Sequence, residues 1–187
     1  PAAMAILTLV IETPIAISLL ALPIIFTNLF QYLGCKSRVE IAKKYWLFGA
    51  SIMASIFLTS LFILSFSKSI ISVTIGFAMI SFSLSQMFGA RISFGASSIW
   101  HVAIGMFAGV LGGLSSIWSP PVAMYLLARN VSKAEFIGAT GFLFLAGSVP
   151  LAIGLSFAGV LTIETVLHSL MGLIVVLVGF WVGEWLR

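Results

Sequence analysis

Long apolar runs separated by short polar turns make up the chain, and none of the polar stretches is of domain size. Because a helix needs about 20 mostly apolar residues to cross a bilayer, several of these runs are candidate membrane spans. The candidate spans are residues 14–33, 45–66, 69–87, 136–159 and 166–187. The pattern predicts an all-α integral membrane protein with about five spanning helices and, before the fourth, one broken segment.

The broken segment covers residues 100–128, which carry no full charge before Arg129. Pro120 and Pro121 remove two backbone donors and clash with the preceding turn, so a continuous helix is not expected there. Irregular backbone at membrane depth is tolerated only where it is buried in protein or lines a polar cavity. We expect Ser119 to be the N-cap of a short half-helix that has Pro120 at its first position.

Such a half-helix would direct free N–H groups and the positive end of its dipole toward the membrane interior, where they suit an anion. The alternative is a proline kink whose small residues serve close packing. Under the first interpretation, the predicted substrate-binding residues of this segment are Gly112, Gly113, Ser115, Ser116, Trp118, Ser119, Pro120 and Pro121.

Four polar residues in other spans are further candidates for the substrate site. Asn28 and Gln31 lie three positions apart on one helix face, and their amides offer N–H donors without the cost of burying a cation. Hydrogen bonding between helices is the alternative role for both. Thr140 and Ser148 are the analogous polar positions in the second half of the chain, although such side chains in membrane helices often bond their own backbone.

Composition supports the membrane class and excludes several functions. The chain is 61% hydrophobic and 7% charged, against about 25% charged residues in soluble domains. We therefore attribute the net charge of +4 to basic loops that orient the chain in the membrane, and we expect no nucleic-acid partner. The chain has one cysteine, no aspartate, and no H-E-x-x-H, G-x-S-x-G or P-loop motif. We expect no enzyme activity, no metal and no cofactor.

The distribution of Lys and Arg discriminates between two topologies. If residues 100–128 cross the membrane, the basic residues divide almost evenly between its two faces. If the segment dips in and returns, Lys68 alone lies on one face, and the positive-inside rule favours this division. The other face then carries Lys36, Arg38, Lys43, Lys44, Arg91, Arg129, Lys133 and Arg187.

A weak internal repeat appears when the chain is compared with itself at an offset of about 120 residues. The identical pairs are Pro1 and Pro121, Ala3 and Ala123, Met4 and Met124, Leu7 and Leu127, and Ile17 and Ile137. With the re-entrant topology, the two copies run in opposite directions and form an inverted repeat. We expect a single transmembrane domain of residues 1–187, with a first repeat, 1–99, that is incomplete at its N-terminus and a second, 100–187, that is incomplete at its C-terminus.

Three stretches carry a resemblance to a known family. The first is GVLGGLSSIWSPP at 109–121, followed by Tyr125 and by Gly138-Ala139-Thr140. The second is the P-x4-N-x2-Q stretch from Pro23 to Gln31. The third consists of Gly172 and residues 183–187. Together they are similar to motifs of the sulfite exporter TauE/SafE family. The resemblance implies a multi-pass permease of the bacterial inner membrane for small anions such as sulfite, sulfonates or related sulfur compounds. Ser119 departs from the family pattern, which often has Gly before the proline pair.

Two functions are compatible with these observations. The first is a secondary transporter whose anion sits at the midplane between residues 115–121 and the amides of Asn28 and Gln31, with the repeats rocking against each other. The second is a non-transporting membrane scaffold or assembly subunit. The expected partners are a small anionic substrate and the lipid bilayer. The sequence is compatible with either a monomer or a homo-oligomer.

Overall fold

The computed structural model describes residues 2–88 and 98–185, which form helices joined by short turns. In chain order the helices are α1 (Ala2–Leu7), α2 (Thr13–Leu33), α3 (Arg38–Leu61), α4 (Lys68–Phe88), α5 (Ile99–Ser115), α6 (Ser119–Ala128), α7 (Lys133–Phe157) and α8 (Ile163–Trp185). A short 3-10 turn, Ile63–Ser65, follows α3. The predicted fold class, an all-α membrane protein, is confirmed.

Three of these helices, α2, α3 and α7, are both long enough and apolar enough to cross a membrane. They have 21, 24 and 25 residues, or roughly 32 to 38 Å at 1.5 Å per residue. α4 and α8, with 21 and 23 residues, have a similar length. The spans predicted at 14–33, 69–87 and 136–159 therefore differ from α2, α4 and α7 by only a few residues at their ends.

The second predicted span, 45–66, differs most from the structure at its start. The sequence suggested a polar loop over residues 34–44, but α3 already begins at Arg38 and only residues 34–37 are outside helices. The helix extends past its apolar part because exposed Lys43 and Lys44 can remain in water while the backbone stays helical.

Pro23 and Pro150 lie inside α2 and α7 without ending either helix. A proline removes one helical hydrogen bond and disturbs the preceding turn, so neighbouring groups have to satisfy the backbone there. Beside Pro23, the N–H of Leu22 donates to Oγ of Ser169 in α8, at 3.2 Å. A side chain of α8, the helix packed against α2, thus accepts from a backbone N–H next to the proline.

α3 and α5 lie side by side in the same direction, because small residues on α5 let the two backbones approach closely. A methyl group added to any of three α5 glycines would lie 2.5 to 2.7 Å from a side-chain carbon of α3. The facing residues are Gly105 with Ser51, Gly109 with Ser55, and Gly113 with Thr59. Both members of each pair advance by four residues, so α5 follows one stripe of α3.

α2 and α7 run in opposite directions. Near the end of α2, Gln31 and Tyr32 lie against Gly141, which is near the start of α7. α2 begins at Thr13 and α7 at Lys133, so their starts are separated by the offset of the internal repeat. This antiparallel relation is the one an inverted repeat requires. The division of the chain at 99/100 into two repeats stays a prediction.

One end of the bundle, which we call the basic end, is where α2 and α6 finish and α3, α5 and α7 begin. The basic residues described there are Lys36, Arg38, Lys43, Lys44, Arg129 and Lys133. Lys68 begins α4 at the opposite end, after α3 has finished. This arrangement agrees with the uneven division of charge predicted for a re-entrant segment. Arg91 and Arg187 lie outside the described residues.

Candidate functional site

The broken segment forms a helical hairpin of α5 and α6, joined by a tight turn that we call the hairpin tip, residues 115–119. Ser116 ends α5 in the left-handed region (φ 57°, ψ 20°), and its N–H donates to the carbonyl of Gly112 at 2.7 Å. Oγ of Ser115 donates to the carbonyl of Leu111 at 2.6 Å and accepts from the N–H of Ile117 at 3.2 Å. These bonds satisfy part of the backbone at the point where the helix stops.

Both ends of the hairpin lie at the basic end of the bundle. The rings of His101, in the first turn of α5, and Tyr125, in the last turn of α6, have centroids 5.5 Å apart. Phe48 of α3 contacts both rings, at 5.7 and 5.2 Å. α6 therefore returns to the end from which α5 started, as the re-entrant topology predicts.

The tip lies well inside the span, packed against α3 and α7. A methyl group at Gly112 would lie 2.8 Å from the Trp118 ring, and one at Gly147 of α7 would lie 3.1 Å from it. Both methyl positions would also be within 3.0 Å of Cδ1 of Ile56, a fully buried residue of α3. Two glycines thus make the room that the indole of Trp118 occupies.

The predicted N-cap role of Ser119 is wrong. α6 begins at Ser119 itself, Trp118 is at the cap position, and its side chain makes no cap hydrogen bond. The preset φ of the two prolines suits the first helical turn, so the helix extends back to the residue before them. Because Pro120 and Pro121 have no N–H, the start of the half-helix offers fewer free donors than an ordinary one. Trp118 and Ser119 are the residues that retain them.

Two side-chain donors at the tip are buried and make no hydrogen bond within the described part of the chain. They are Nε1 of Trp118, a residue only 3% exposed, and Oγ of Ser116. Leaving a buried donor unsatisfied costs about 1–3 kcal/mol, so each of these groups is poised for an acceptor.

The surroundings of the tip are electrically neutral apart from the helix dipoles. Every Lys, Arg and Glu whose side chain the structure describes lies outside the helices or within about two turns of a helix start. The N-terminus of α6 contributes a partial positive charge. The tip can therefore hold an acceptor with neutral donors and a helix dipole, without a buried cation.

The structure brings two of the four outlying candidates together. Nε2 of Gln31 donates to Oγ1 of Thr140 at 2.9 Å and to the carbonyl of Ile137 at 2.8 Å, and so joins α2 to α7. By contrast, Nδ2 of Asn28 donates to the carbonyl of Ile24 in its own helix at 2.8 Å. Among the described residues, no hydrogen bond joins either amide to the tip.

Ser148, the fourth outlying candidate, is buried and follows Gly147 directly, close to the indole of Trp118. Its hydroxyl donates to the carbonyl of Leu145, three residues earlier in α7, at 3.2 Å. This local bond is the alternative that the sequence allowed for serines in membrane helices.

Sequence reasoning missed a polar contact at the basic end. Oε1 of Glu135 accepts from the hydroxyl of Tyr45 at 2.7 Å and from Nζ of Lys44, so α7 is tied to α3. The sequence does show Ser132 three residues before Glu135, which is the spacing of a capping box. In the structure, Oγ of Ser132 accepts from the N–H of Glu135 at 3.2 Å. That spacing marks a helix start but cannot identify Tyr45 or Lys44.

Comparison with known proteins identifies a family. The family model described as sulfite exporter TauE/SafE matches residues 2–187. No curated protein and no solved structure compared with the chain matches it. Since the family model spans nearly the whole chain, including the hairpin, α2 and α7, the chain belongs to the sulfite exporter TauE/SafE family.

Proposed function

We propose that the chain is a multi-pass permease of the bacterial inner membrane that moves a small anion, namely sulfite, a sulfonate or another sulfur compound. The observation that carries the proposal is the re-entrant hairpin, whose buried tip presents unsatisfied donors inside the span. Interrupted helices that meet at membrane depth are how many secondary transporters build a substrate site. Membership of a family named for sulfite export supports the choice of substrate class.

Neutral donors suit a transported anion because the protein does not have to bury a permanent positive charge. A buried Lys or Arg would cost free energy whenever the site is empty, whereas hydroxyl and indole N–H groups cost much less. The candidate site therefore combines the tip with the polar residues of α2 and α7, Asn28, Gln31, Thr140 and Ser148. The proposal requires Asn28 or Gln31 to exchange its present hydrogen bond for one to the anion.

Contacts between the two halves support alternating access by rocking. At the basic end, Gln31 bonds to Thr140, and Tyr45 and Lys44 bond to Glu135, so α2 and α3 are tied to α7. Under the proposal these bonds close the basic end. They break when the halves rock and the anion site opens toward that face.

Transport in proteoliposomes tests the proposal. Purified protein is reconstituted, the vesicles are loaded with sodium sulfite, and efflux is followed against vesicles without protein. Methanesulfonate, sulfate and acetate in parallel vesicles define the substrate class. We expect saturable efflux of sulfite or methanesulfonate well above the leak. If none of these anions leaves faster than from protein-free vesicles, the permease proposal fails and the scaffold alternative stands.

A further inference from the structure

We propose that the indole N–H of Trp118 and the hydroxyl of Ser116 are the principal donors to the anion, and that the anion is a small oxyanion bound between the hairpin tip and α7. This inference rests on the proposed permease function and assigns its binding groups. It differs from a site built on a Ser119 cap, because the structure gives Ser119 no capping role.

The indole of Trp118 is held in one orientation. Cε3 is the ring atom nearest to the methyl position of Gly112, at 2.8 Å, and Cε2, which is bonded to Nε1, lies 3.1 Å from that of Gly147. The N–H edge of the ring therefore faces α7, and the ring of Phe144 lies 6.4 Å away, nearly perpendicular to it. A fixed donor binds better than a mobile one, because its rotational freedom is lost on folding and not on binding.

Ser116 supports the assignment through both its backbone and its side chain. Its φ of 57° lies in the left-handed region, where glycine or asparagine is the usual residue. A serine there bears a conformational cost, and its hydroxyl is buried without a partner among the described residues. Residues kept in such conformations cluster at binding sites. An anion at the tip would give the hydroxyl its acceptor.

The donor chemistry defines the ligand class. An indole N–H can only donate, so its partner has to be an acceptor. The two donors lie on residues separated by Ile117, and a ligand with several acceptor oxygens can engage both at once. The dipole of α6 favours negative charge at the same place. Sulfite and sulfonates present three oxygens on one small group, whereas a halide presents a single atom.

The binding experiment uses the purified full chain in detergent, with sodium sulfite as the titrant and heat of binding as the readout. Trp118→Phe removes the N–H but keeps an aromatic ring, and Ser116→Ala removes the hydroxyl. A hydrogen bond to a charged ligand corresponds to roughly ten- to hundredfold in affinity, so we expect losses of that order for each variant. Sodium methanesulfonate and sodium chloride as titrants separate a three-oxygen ligand from a single-atom anion.

Matched controls are available elsewhere in the chain. Trp46→Phe makes the same replacement at a residue that is 62% exposed, near the basic end. Ser156→Ala removes a hydroxyl whose one hydrogen bond within the described residues goes to the carbonyl of Ala152 in α7. Both controls should bind sulfite within about twofold of the parent protein, because neither touches the tip.

A second measurement needs no variant to fold. With tryptophan labelled with ¹⁵N at the indole, an indole N–H resonance of the parent protein should shift on addition of sulfite and not of chloride. If the parent transports sulfite but Trp118→Phe binds it equally well, or no indole resonance shifts at saturation, this inference is overturned and the permease proposal stands. If no anion is transported at all, the permease proposal itself fails.

Discussion

The rings of His101 and Tyr125 lie 5.5 Å apart with their planes at 75°. A continuous helix would separate these two positions by about 36 Å, at 1.5 Å per residue. The contact therefore requires the chain to reverse direction between them, and residues 115–119 are where it does so. A re-entrant hairpin places the termini of α5 and α6 on one side of the membrane, with the tip inside it.

The first prediction tests this topology by labelling. In a Cys35→Ser background, single cysteines at Ser98 and Lys133 should react with an impermeant thiol reagent from the same side of the membrane. Both positions are exposed and flank the hairpin at the basic end. A cysteine at Ser67, exposed before α4, should react only from the other side. Labelling of Ser98→Cys and Lys133→Cys from opposite faces would contradict the re-entrant hairpin.

The hairpin could be predicted from sequence because two independent signals agree. Pro120 and Pro121 interrupt an apolar run, and the basic residues divide unevenly only if the run returns to its own side. Arg91, one of the residues in that count, lies outside the described residues. Arg129 and Lys133 are at the basic end, as predicted. Composition and charge thus determined the topology without any knowledge of contacts.

The second prediction concerns the close packing of α3 on α5. Gly109→Ala should destabilise the protein by about 1–3 kcal/mol, because the new methyl group would lie 2.5 Å from Cβ of Ser55 and the helices would have to separate. Gly179→Ala on α8 is the control, since no described atom outside the nearby backbone of α8 lies within 4 Å of its methyl position. Thermal unfolding in detergent measures both. Equal melting temperatures would show that the α3–α5 contact tolerates separation.

The pairing of α3 with α5 could not be predicted from sequence. Gly105, Gly109 and Gly113 are visible as a stripe of small residues, but many helices present a compatible surface. The same holds for the contact of Tyr45 with Glu135, which joins residues far apart in the chain. Periodicity shows which face of a helix is packed, but only the folded chain shows which helix packs against that face.

The third prediction compares the two amides. Gln31→Leu removes the hydrogen bonds from α2 to α7, whereas Asn28→Leu removes one within α2. A hydrogen bond between membrane helices contributes about 0.6 kcal/mol on average, so opening at the basic end should become about threefold more frequent in Gln31→Leu. The labelling rate of native Cys35, half-buried against Gly138, reports that opening.

Asn28→Leu should leave the labelling rate of Cys35 unchanged, because among the described residues the Asn28 amide bonds within α2 and not to α7. Because the proposed site requires Asn28 or Gln31 to bond to the anion, at least one of the two variants should lower anion transport. Equal Cys35 labelling in the two variants would show that Gln31 does not hold the basic end closed. Normal transport in both would leave the amides with a packing role alone.

The fourth prediction separates charge from capping at the start of α6. Since Ser119 is the first helical residue and makes no cap bond, Ser119→Ala should change the melting temperature little. Ser119→Asp places a carboxylate in the first turn, where the helix dipole stabilises it by about 0.3–1 kcal/mol. The same carboxylate would repel an anion at the tip. Burying a carboxylate costs free energy that the dipole offsets only in part, so we expect Asp to lower stability somewhat and to weaken sulfite binding at least tenfold.

Ser119→Asn is the control for this fourth prediction, because asparagine has nearly the shape of aspartate without its charge. Sulfite affinity and melting temperature are measured for the Asp and Asn variants side by side. If Asp and Asn bind sulfite equally well, the anion does not approach the start of α6 and the tip is excluded as its site. If both variants remain folded and only the Asp variant loses affinity for sulfite, the bound anion lies close enough to residue 119 to be repelled by its negative charge. If the break between α5 and α6 serves only packing, the Asp variant should lose stability while its sulfite affinity stays unchanged.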